Sequence, residues 1–403
     1  MRVRTVGWLL AAFAAVAVVT VTLLPLGTSP PMVWSHCVIC GERGLADALV
    51  NVLLFLPLGV GLQLAGVPVR QTILRGALAS ATIELAQMLL PGRDPSPGDV
   101  VFNTMGVAVG IALVVATPRL ARLRARAAAA GSLAAGAMAA GIIGLTGWLL
   151  QPEWPRTVYY GQWTPDLTYL EWYRGTVLSA TVGDAFVRSR RIEDTDRVRR
   201  LLAAGAPIGV TAVAGPAPAR LAPLFSIYDH RRIEIILVGP DRDALVYRYR
   251  ARSVAARLDQ PDLRFPGALR GVHAGDPLVV EVMPDPARHG AYCLSANREH
   301  RCGLGFTAGR GWAILYYVRW FPSWLQTSLD WAWLAALFLP LGALARQRWE
   351  TAAALLTAAL ALLLLPSAVG LLATPALGYA GAAVGAVAGA LATRRLRNPP
   401  PPR

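Results

Sequence analysis

Lysine is absent from this chain; all 39 basic residues are arginine, against 24 acidic ones. That exclusivity reads as GC-rich coding rather than as a site. Cysteine is scarce: four residues are too few for a disulfide scaffold and fall into two local pairs, Cys37/Cys40 and Cys293/Cys302. No A-x-A cleavage site follows the first apolar run, so that run reads as an uncleaved anchor rather than a signal peptide. No nucleophile or metal motif is evident, and no cofactor is implied. A net charge of +15 suggests nucleic acid. In a membrane protein, however, basic residues gather in cytoplasmic loops, and nucleic acid is set aside as a partner.

Long uncharged runs are abundant instead. The hydrophobic share is 55% and the mean hydropathy +0.44, above the roughly 45–50% of a soluble domain. A bilayer core takes about 20 apolar residues as a helix. Runs of that length predict eight transmembrane helices, at about 6–26, 45–67, 73–90, 100–116, 130–150, 324–345, 351–372 and 375–393. With the N-terminus inside, the cytoplasmic segments carry Arg2/Arg4, Arg70/Arg75, Arg119/Arg122/Arg124/Arg126, Arg346/Arg348 and Arg394/Arg395/Arg397/Arg403. The short outer loops carry only Arg43 and Arg93. This asymmetry predicts a multi-pass plasma-membrane protein with both termini cytoplasmic and residues 151–322 extracytoplasmic. The expected division is a four-helix bundle (1–127), a fifth helix (128–152), an outer domain (153–321), a three-helix unit (322–396) and a tail (397–403).

Ionisable residues inside a membrane are costly and usually mark function. Asp47 and Asn51 share a face at the outer end of the second span, and Glu84 and Gln87 lie in the outer half of the third. Arg93 sits in the Pro91–Gly98 loop, and Asp99 and Asn103 open the fourth span. Topology puts all seven near one depth, as a candidate ligand-binding cluster beside the outer leaflet. The alternative reading is interhelical hydrogen bonding that only holds the bundle together.

Three blocks carry a family likeness: Asp47-x3-Asn51-x3-Phe55-Leu-Pro57-Leu-Gly59, Ser80-x2-Ile83-Glu84-x2-Gln87, and Asp99-x3-Asn103-Thr104-x-Gly106. In order and spacing, residues 5–117 resemble the VanZ-like family. The resemblance implies a cell-envelope role, since VanZ is associated with low-level teicoplanin resistance. It implies no reaction.

The second block of helices resembles the first. Leu54–Gly59 recurs as Leu337–Gly342 and Asp47 as Asp330, both at an offset of 283. Leu89-Leu90-Pro91 matches Leu364-Leu365-Pro366, and Gly106/Gly110 match Gly381/Gly385, at an offset of 275. On this alignment Asn51 becomes Leu334, Glu84 becomes Ala359, Gln87 becomes Leu362, Asp99 becomes Thr374 and Asn103 becomes Gly378. An eroded parallel repeat is expected, with a site in the first copy alone.

Between the two helical blocks, short apolar runs at 208–214, 224–229, 233–238, 245–250, 278–283 and 312–318 are separated by Gly-Pro and Pro-Asp turns. They predict an inserted all-β sandwich. In the order of Arg200-Leu-Leu, Phe225–Asp229, Glu234–Leu237, Leu245–Arg248 and Gly311–Tyr316 it is similar to the LamG or concanavalin A-like jelly roll. That superfamily holds lectins and hydrolases. Glu234 has no acidic partner at i+2 or i+4, so binding is favoured over cleavage and an enzyme is not expected. Aromatics at Trp154, Tyr159, Tyr160, Trp163, Tyr169, Trp172 and Tyr173 read as stacking platforms for sugar or, more simply for Trp154 and Trp320/Trp324/Trp331/Trp333, as an interfacial belt. Cys293 and Cys302 flank Asn297-Arg298 and suit a stapled hairpin. His36-Cys37-x2-Cys40 offers three ligands where a structural zinc takes four, which favours a local disulfide or paired thiols.

Three functions follow as expectations. One is an envelope protein whose outer cluster binds a lipid headgroup, a lipid-linked wall precursor or a lipoglycopeptide while the sandwich recognises glycan. The second is an enzyme on lipid-linked sugar or phosphate, with Glu84 or Asp99 as base. The third is a structural anchor displaying a lectin-like domain.

Overall fold

A computed structural model describes residues 2–24, 37–39, 41–93, 95–167, 170–317, 319 and 321–397. Of the features singled out above, His36, Cys40, Asp94, Tyr169, Val318, Trp320 and Arg403 lie outside the described residues.

Five helices precede the β region: α1 (Arg2–Leu23), α2 (Gly44–Leu64), α3 (Val69–Gln87), α4 (Pro97–Ala121) and α5 (Ala125–Leu149). The sequence starts α4 sharply. Ser96 is its N-cap, accepting from the Asp99 N–H, Pro97 follows at the first turn, and Asp99 faces the positive end of the helix dipole.

The inserted region is all antiparallel. One sheet has the order β1-β5-β6-β7-β8, from β1 (Tyr159–Trp163), β5 (Phe225–Asp229), β6 (Glu234–Asp241), β7 (Ala244–Tyr249) and β8 (Leu263–Phe265). The other has the order β11-β10-β9-β4-β2-β3, from β2 (Thr176–Val182), β3 (Ala185–Phe186), β4 (Ile208–Val213), β9 (Pro277–Pro284), β10 (Tyr292–Ala296) and β11 (Glu299–Leu304). Alternating burial along β4 turns Ile208, Val210 and Ala212 inward, as a sandwich layer requires. Both layers share one apolar core that includes Tyr159, Phe225, Leu245, Val280 and Leu294. Two short helices, α6 (Thr195–Ala203) and α7 (Arg252–Ala255), lie within this region.

The expected sandwich is therefore present, with two corrections. Residues 308–314 form a 3-10 helix, not the start of a last strand, because Trp312 and Arg310 turn onto the next transmembrane helix rather than into a sheet. The Arg200-Leu-Leu block lies in α6, whose buried Val198 and Leu202 give it a helical period. Cys293 and Cys302 form the expected disulfide across the β10–β11 hairpin. Cys37 is disulfide-bonded as well.

The chain then re-enters the helical layer as α8 (Ser323–Leu344), α9 (Arg348–Ala368) and α10 (Ala376–Arg397). Among the described residues, seven helices are long and apolar enough to cross a membrane, so the chain is a multi-pass membrane protein in contact with lipid. Of the eight expected spans, the exception is α3, where Arg70, Arg75, Glu84 and Gln87 dilute the apolar run. It nevertheless packs along α4 and α2.

The two helical units share a packing device. A methyl group on Gly106 would lie 2.3 Å from the Val52 carbonyl oxygen, and one on Gly110 2.4 Å from that of Leu56. In the second unit Gly385 meets Ala335 O at 2.0 Å and Gly389 meets Leu339 O at 2.2 Å in the same sense. Backbone-to-backbone approach of this kind requires glycine. It also corrects the register of the repeat. The first helix of each unit is offset by 283, as expected, but Gly106 and Gly110 correspond to Gly385 and Gly389, one helical turn beyond the expected Gly381 and Gly385. Likewise α9 buries Ala354, Ala358 and Leu362 where α3 buries Gly76, Ser80 and Glu84. Small and apolar residues repeat so monotonously here that sequence matching slipped by a turn. The erosion survives the correction: Leu362 stands in the place of Glu84, and buried Ala382 in that of Asn103.

Candidate functional site

The seven residues of the expected cluster separate into a group of four, a pair, and Asp47 by itself. Four of them gather where α2, α3 and α4 meet. The Asn51 amide donates to Asp99 Oδ1 at 2.5 Å, linking α2 to α4. The Ser96 N–H donates to Glu84 Oε2 at 3.0 Å, linking the α4 cap to α3. Deeper in the bundle, Asn103 Nδ2 donates to Ser80 Oγ at 2.9 Å, and Asn103 Oδ1 is buried without a partner among the described residues. Glu84 and Asn103 are both 2% exposed, whereas Asp99 is half-buried. Asp99 and Arg93 lie within electrostatic range of Glu84, and Asp47 within range of Asp99. Asp47 itself is exposed, one turn above Asn51.

Gln87 and Arg93 have other work. Gln87 Nε2 donates to Thr22 O at 2.9 Å. Arg93 donates to Val21 O at 2.6 Å and twice to Leu24 O, at 3.0 and 2.7 Å. The last carbonyls of a helix have no partners within it, and these two side chains satisfy those of α1. Their hydrogen-bond acceptors are backbone atoms some seventy residues away, which no local spacing reveals, while Arg93 stays within electrostatic range of Glu84.

Ser80 and Ser96 complete the network and were not expected in it. The signal for Ser96 was local, a Ser-Pro-Gly-Asp helix start. Ser80 lies one turn before Glu84 on the same face.

The cluster sits under the β-sandwich. The Ala46 N–H, in the first turn of α2, donates to Arg257 O at 3.1 Å, and Arg43 pairs with the buried Asp259 at 3.0 Å. Asp259 also accepts from the Tyr317 N–H at 3.1 Å. A methyl group on Gly98 would collide with Val38 O, so residues 37–39 lie directly on the start of α4. The second unit grips the sandwich at the corresponding place. Asp330, which repeats Asp47, takes both arms of Arg310 at 2.9 and 3.0 Å and the Trp312 indole N–H at 2.6 Å.

Within the sandwich, Glu234 is not alone. Asp262 lies across the Arg248 guanidinium from it, with Arg248 Nε to Asp262 Oδ1 at 2.5 Å and Arg248 Nη1 to Glu234 Oε2 at 3.3 Å. The partner comes from the β7–β8 connection and not from the same strand. Burial pushes both carboxyls up, but the Arg248 and Arg319 guanidiniums outweigh it at Asp262, which is held below the usual range. At Glu234 burial prevails and its carboxyl stays raised. All three side chains are at most 5% exposed, so the arrangement is an internal ion cluster with no room for substrate. Tyr159 and Tyr173 are likewise core residues, and Trp154 packs against the sandwich core. Trp172, Trp324 and Trp331 are exposed.

Chemically, the bundle site offers carboxylate and amide oxygens. Of the cations beside it, Arg93 is committed to α1 and Arg43 to Asp259. Such oxygens can accept hydrogen bonds from amines or hydroxyls.

Residues 8–120 match the model of the VanZ/LLP1 family, and that segment is a VanZ-like domain. It contains every residue of the network from Asn51 to Asn103. No curated protein and no solved structure matches the chain.

Proposed function

Taking residues 8–120 as a VanZ-like domain, we propose that the chain is a cell-envelope protein that holds an amine- or hydroxyl-bearing headgroup at Glu84, Asp99 and Asn103, beneath the sandwich. The observation that carries this reading is the pairing of two carboxylates from neighbouring helices through one capping segment, Glu84–Ser96–Asp99, with the adjacent arginines engaged elsewhere. A buried Glu84 with a second, half-buried carboxylate beside it and no ion pair of its own is expensive in a membrane helix, and such groups usually mark function. Asn103 Oδ1, buried and without a partner among the described residues, adds an acceptor waiting for a donor.

The arginine distribution supports an arrangement with both termini in the cytoplasm. The site and the sandwich then face the outer leaflet, where lipid-linked wall precursors and lipoglycopeptides present amines and sugar hydroxyls. A sandwich of LamG type above it suits glycan recognition, and at the family level the setting is teicoplanin-type resistance.

The test uses the full chain in detergent with two isoprenoid-linked ligands, one carrying an amino sugar and one ending in phosphate alone, read by native mass spectrometry. The sugar-bearing ligand should bind more tightly. Glu84→Gln and Asp99→Asn should each lower its affinity about ten- to a hundred-fold, as loss of one charge-assisted hydrogen bond implies. Equal binding of both ligands, or variants that bind like wild type, rejects the proposal. In cells, the same variants at matched protein level should change teicoplanin susceptibility.

A further inference from the structure

A second surface, of opposite charge, lies at the base of the sandwich. Its position follows from strand register. Helix α5 ends at Leu149, and the next residues are bonded to the end of β7: Tyr249 Oη donates to Leu150 O at 2.9 Å, and the Arg252 N–H donates to Gln151 O at 3.0 Å. The end of β7 therefore lies against the membrane end of α5. Strand β6 runs antiparallel to β7, with Ile236 opposite Tyr249 and the Arg250 N–H donating to Ile235 O. The start of β6, and with it the β5–β6 turn, is thus at this same end. At about 3.3 Å per residue, that turn reaches roughly 10 Å past Arg250 towards the bilayer.

The turn reads Asp229-His230-Arg231-Arg232. Its shape is held from within, because Asp229 Oδ1 accepts the N–H groups of Arg231 and Ile233. Thr157 meets His230 Nδ1 at 2.5 Å, which brings Arg156 alongside. Arg156, Arg231 and Arg232 are all exposed, and none of them pairs with a carboxylate among the described residues. The nearby acids are engaged: Asp229 and Glu153 by Arg250, Glu193 by Arg190, Asp196 by Arg199, and Asp194 as the N-cap of α6. Arg252, also at this end, stacks 5.2 Å from the ring centre of Trp148, a half-exposed residue in the last turn of α5. A tryptophan there marks the interface.

We propose that this basal arginine face binds anionic phospholipid headgroups of the leaflet beneath the sandwich. The headgroup layer is about 5–7 Å thick on each side of the hydrocarbon, within reach of a turn so placed. An arginine there gains about 1 kcal/mol, or roughly five-fold, from an anionic leaflet. A large domain is translocated whatever its charge, so basic residues on it do not conflict with the loop asymmetry. The inference is independent of the acidic site in the bundle and of which side the sandwich occupies.

The test is hydrogen exchange on the full chain in nanodiscs of pure phosphatidylcholine and of pure phosphatidylglycerol. Amides in 156–157 and 230–232 should exchange at least about five-fold more slowly in phosphatidylglycerol, consistent with one arginine contact. The difference should vanish near 1 M salt, where the screening length falls to about 3 Å. Arg231→Gln with Arg232→Gln should abolish it, and Arg156→Gln, remote from the turn's own hydrogen bonds, should reduce it. Arg242→Gln, in the β6–β7 turn at the far end, should leave it unchanged. Equal exchange in both lipids, or persistence of the difference in the turn variants, overturns the proposal. So does equal slowing by soluble glycerol phosphate in phosphatidylcholine discs, which would assign the arginines to a free phosphate.

Discussion

Asp262→Asn should cost more stability than any other single charge removal in the sandwich, and more than Glu234→Gln. Asp262 is fully buried and pairs with Arg248 at 2.5 Å, Arg319 at 3.3 Å and Arg264 at 3.5 Å. Glu234 pairs with Arg248 at 3.3 and 3.5 Å and feels Arg319 only at longer range. Removing one member of a buried ion cluster costs about 3–5 kcal/mol, because the remaining charges stay out of water unpaired. For a domain of this size each kcal/mol lowers Tm by about 2–4 °C, so Asp262→Asn should lower it by roughly 6–20 °C. At Glu234 burial already outweighs the attraction, and an amide should cost little there, under about 2 kcal/mol. The pH dependence separates the two further. A depressed carboxyl contributes stability that is complete above its ordinary 3.8 and is lost as pH falls through its lower folded value. A raised carboxyl does the reverse: the fold gains stability as pH falls through the raised value towards 4.5. Asp262→Asn should therefore flatten the acid limb below about 4, and Glu234→Gln should flatten the slope above 4.5. The assay is thermal unfolding of the full chain in nanodiscs, followed by near-ultraviolet circular dichroism across pH. A loss under about 1 kcal/mol for Asp262→Asn, or an equal or larger loss for Glu234→Gln, refutes the reasoning.

Asp330→Asn should loosen the 3-10 helix from α8 by about 1–2 kcal/mol, the discounted worth of a partly exposed bidentate pair, seen as faster exchange across 308–314. Gly106→Val and Gly385→Val should each cost at least about 1–3 kcal/mol by forcing apart helices in backbone contact, read as lost folded protein on size exclusion. Gly141→Ala is the contrast: nothing lies within 4 Å of that position on α5, and alanine should stabilise by up to about 1 kcal/mol. Cys302→Ser should lower stability by about 2–3 kcal/mol, and reductant should remove the difference from wild type.

The helices were legible because uncharged runs long enough to span a bilayer have few alternative structures. Strands β4 to β7 and β9 were legible from alternation or from β-branched runs between Gly-Pro and Pro-Asp turns. Strands β1 and β2 were not. Tyr159–Trp163 reads as an aromatic girdle and Thr176–Val182 carries only scattered apolar residues; both acquire their meaning from partners about sixty-five and thirty residues away. The acid–amide core of the bundle site was visible as three spaced blocks. The roles of Gln87 and Arg93 were hidden, because helix-end carbonyls leave no mark in sequence. So was the sandwich above the site, since Arg257 and Asp259 are two hundred residues from α2.

The sandwich is pinned by Arg43–Asp259 and Ala46–Arg257 to the first helical unit, and by Arg310–Asp330 and the Leu372 N–H to Phe306 O bond to the second. Away from it, Arg397 Nε donates to Ala121 O at 2.8 Å, joining the far ends of α10 and α4. Repeat-built transporters work by tilting one half against the other. In this protein such tilting would have to unlatch a strut at one end and a clasp at the other. The contacts at both ends brace the two helical units against one another, so any rearrangement between them has to break both sets at once.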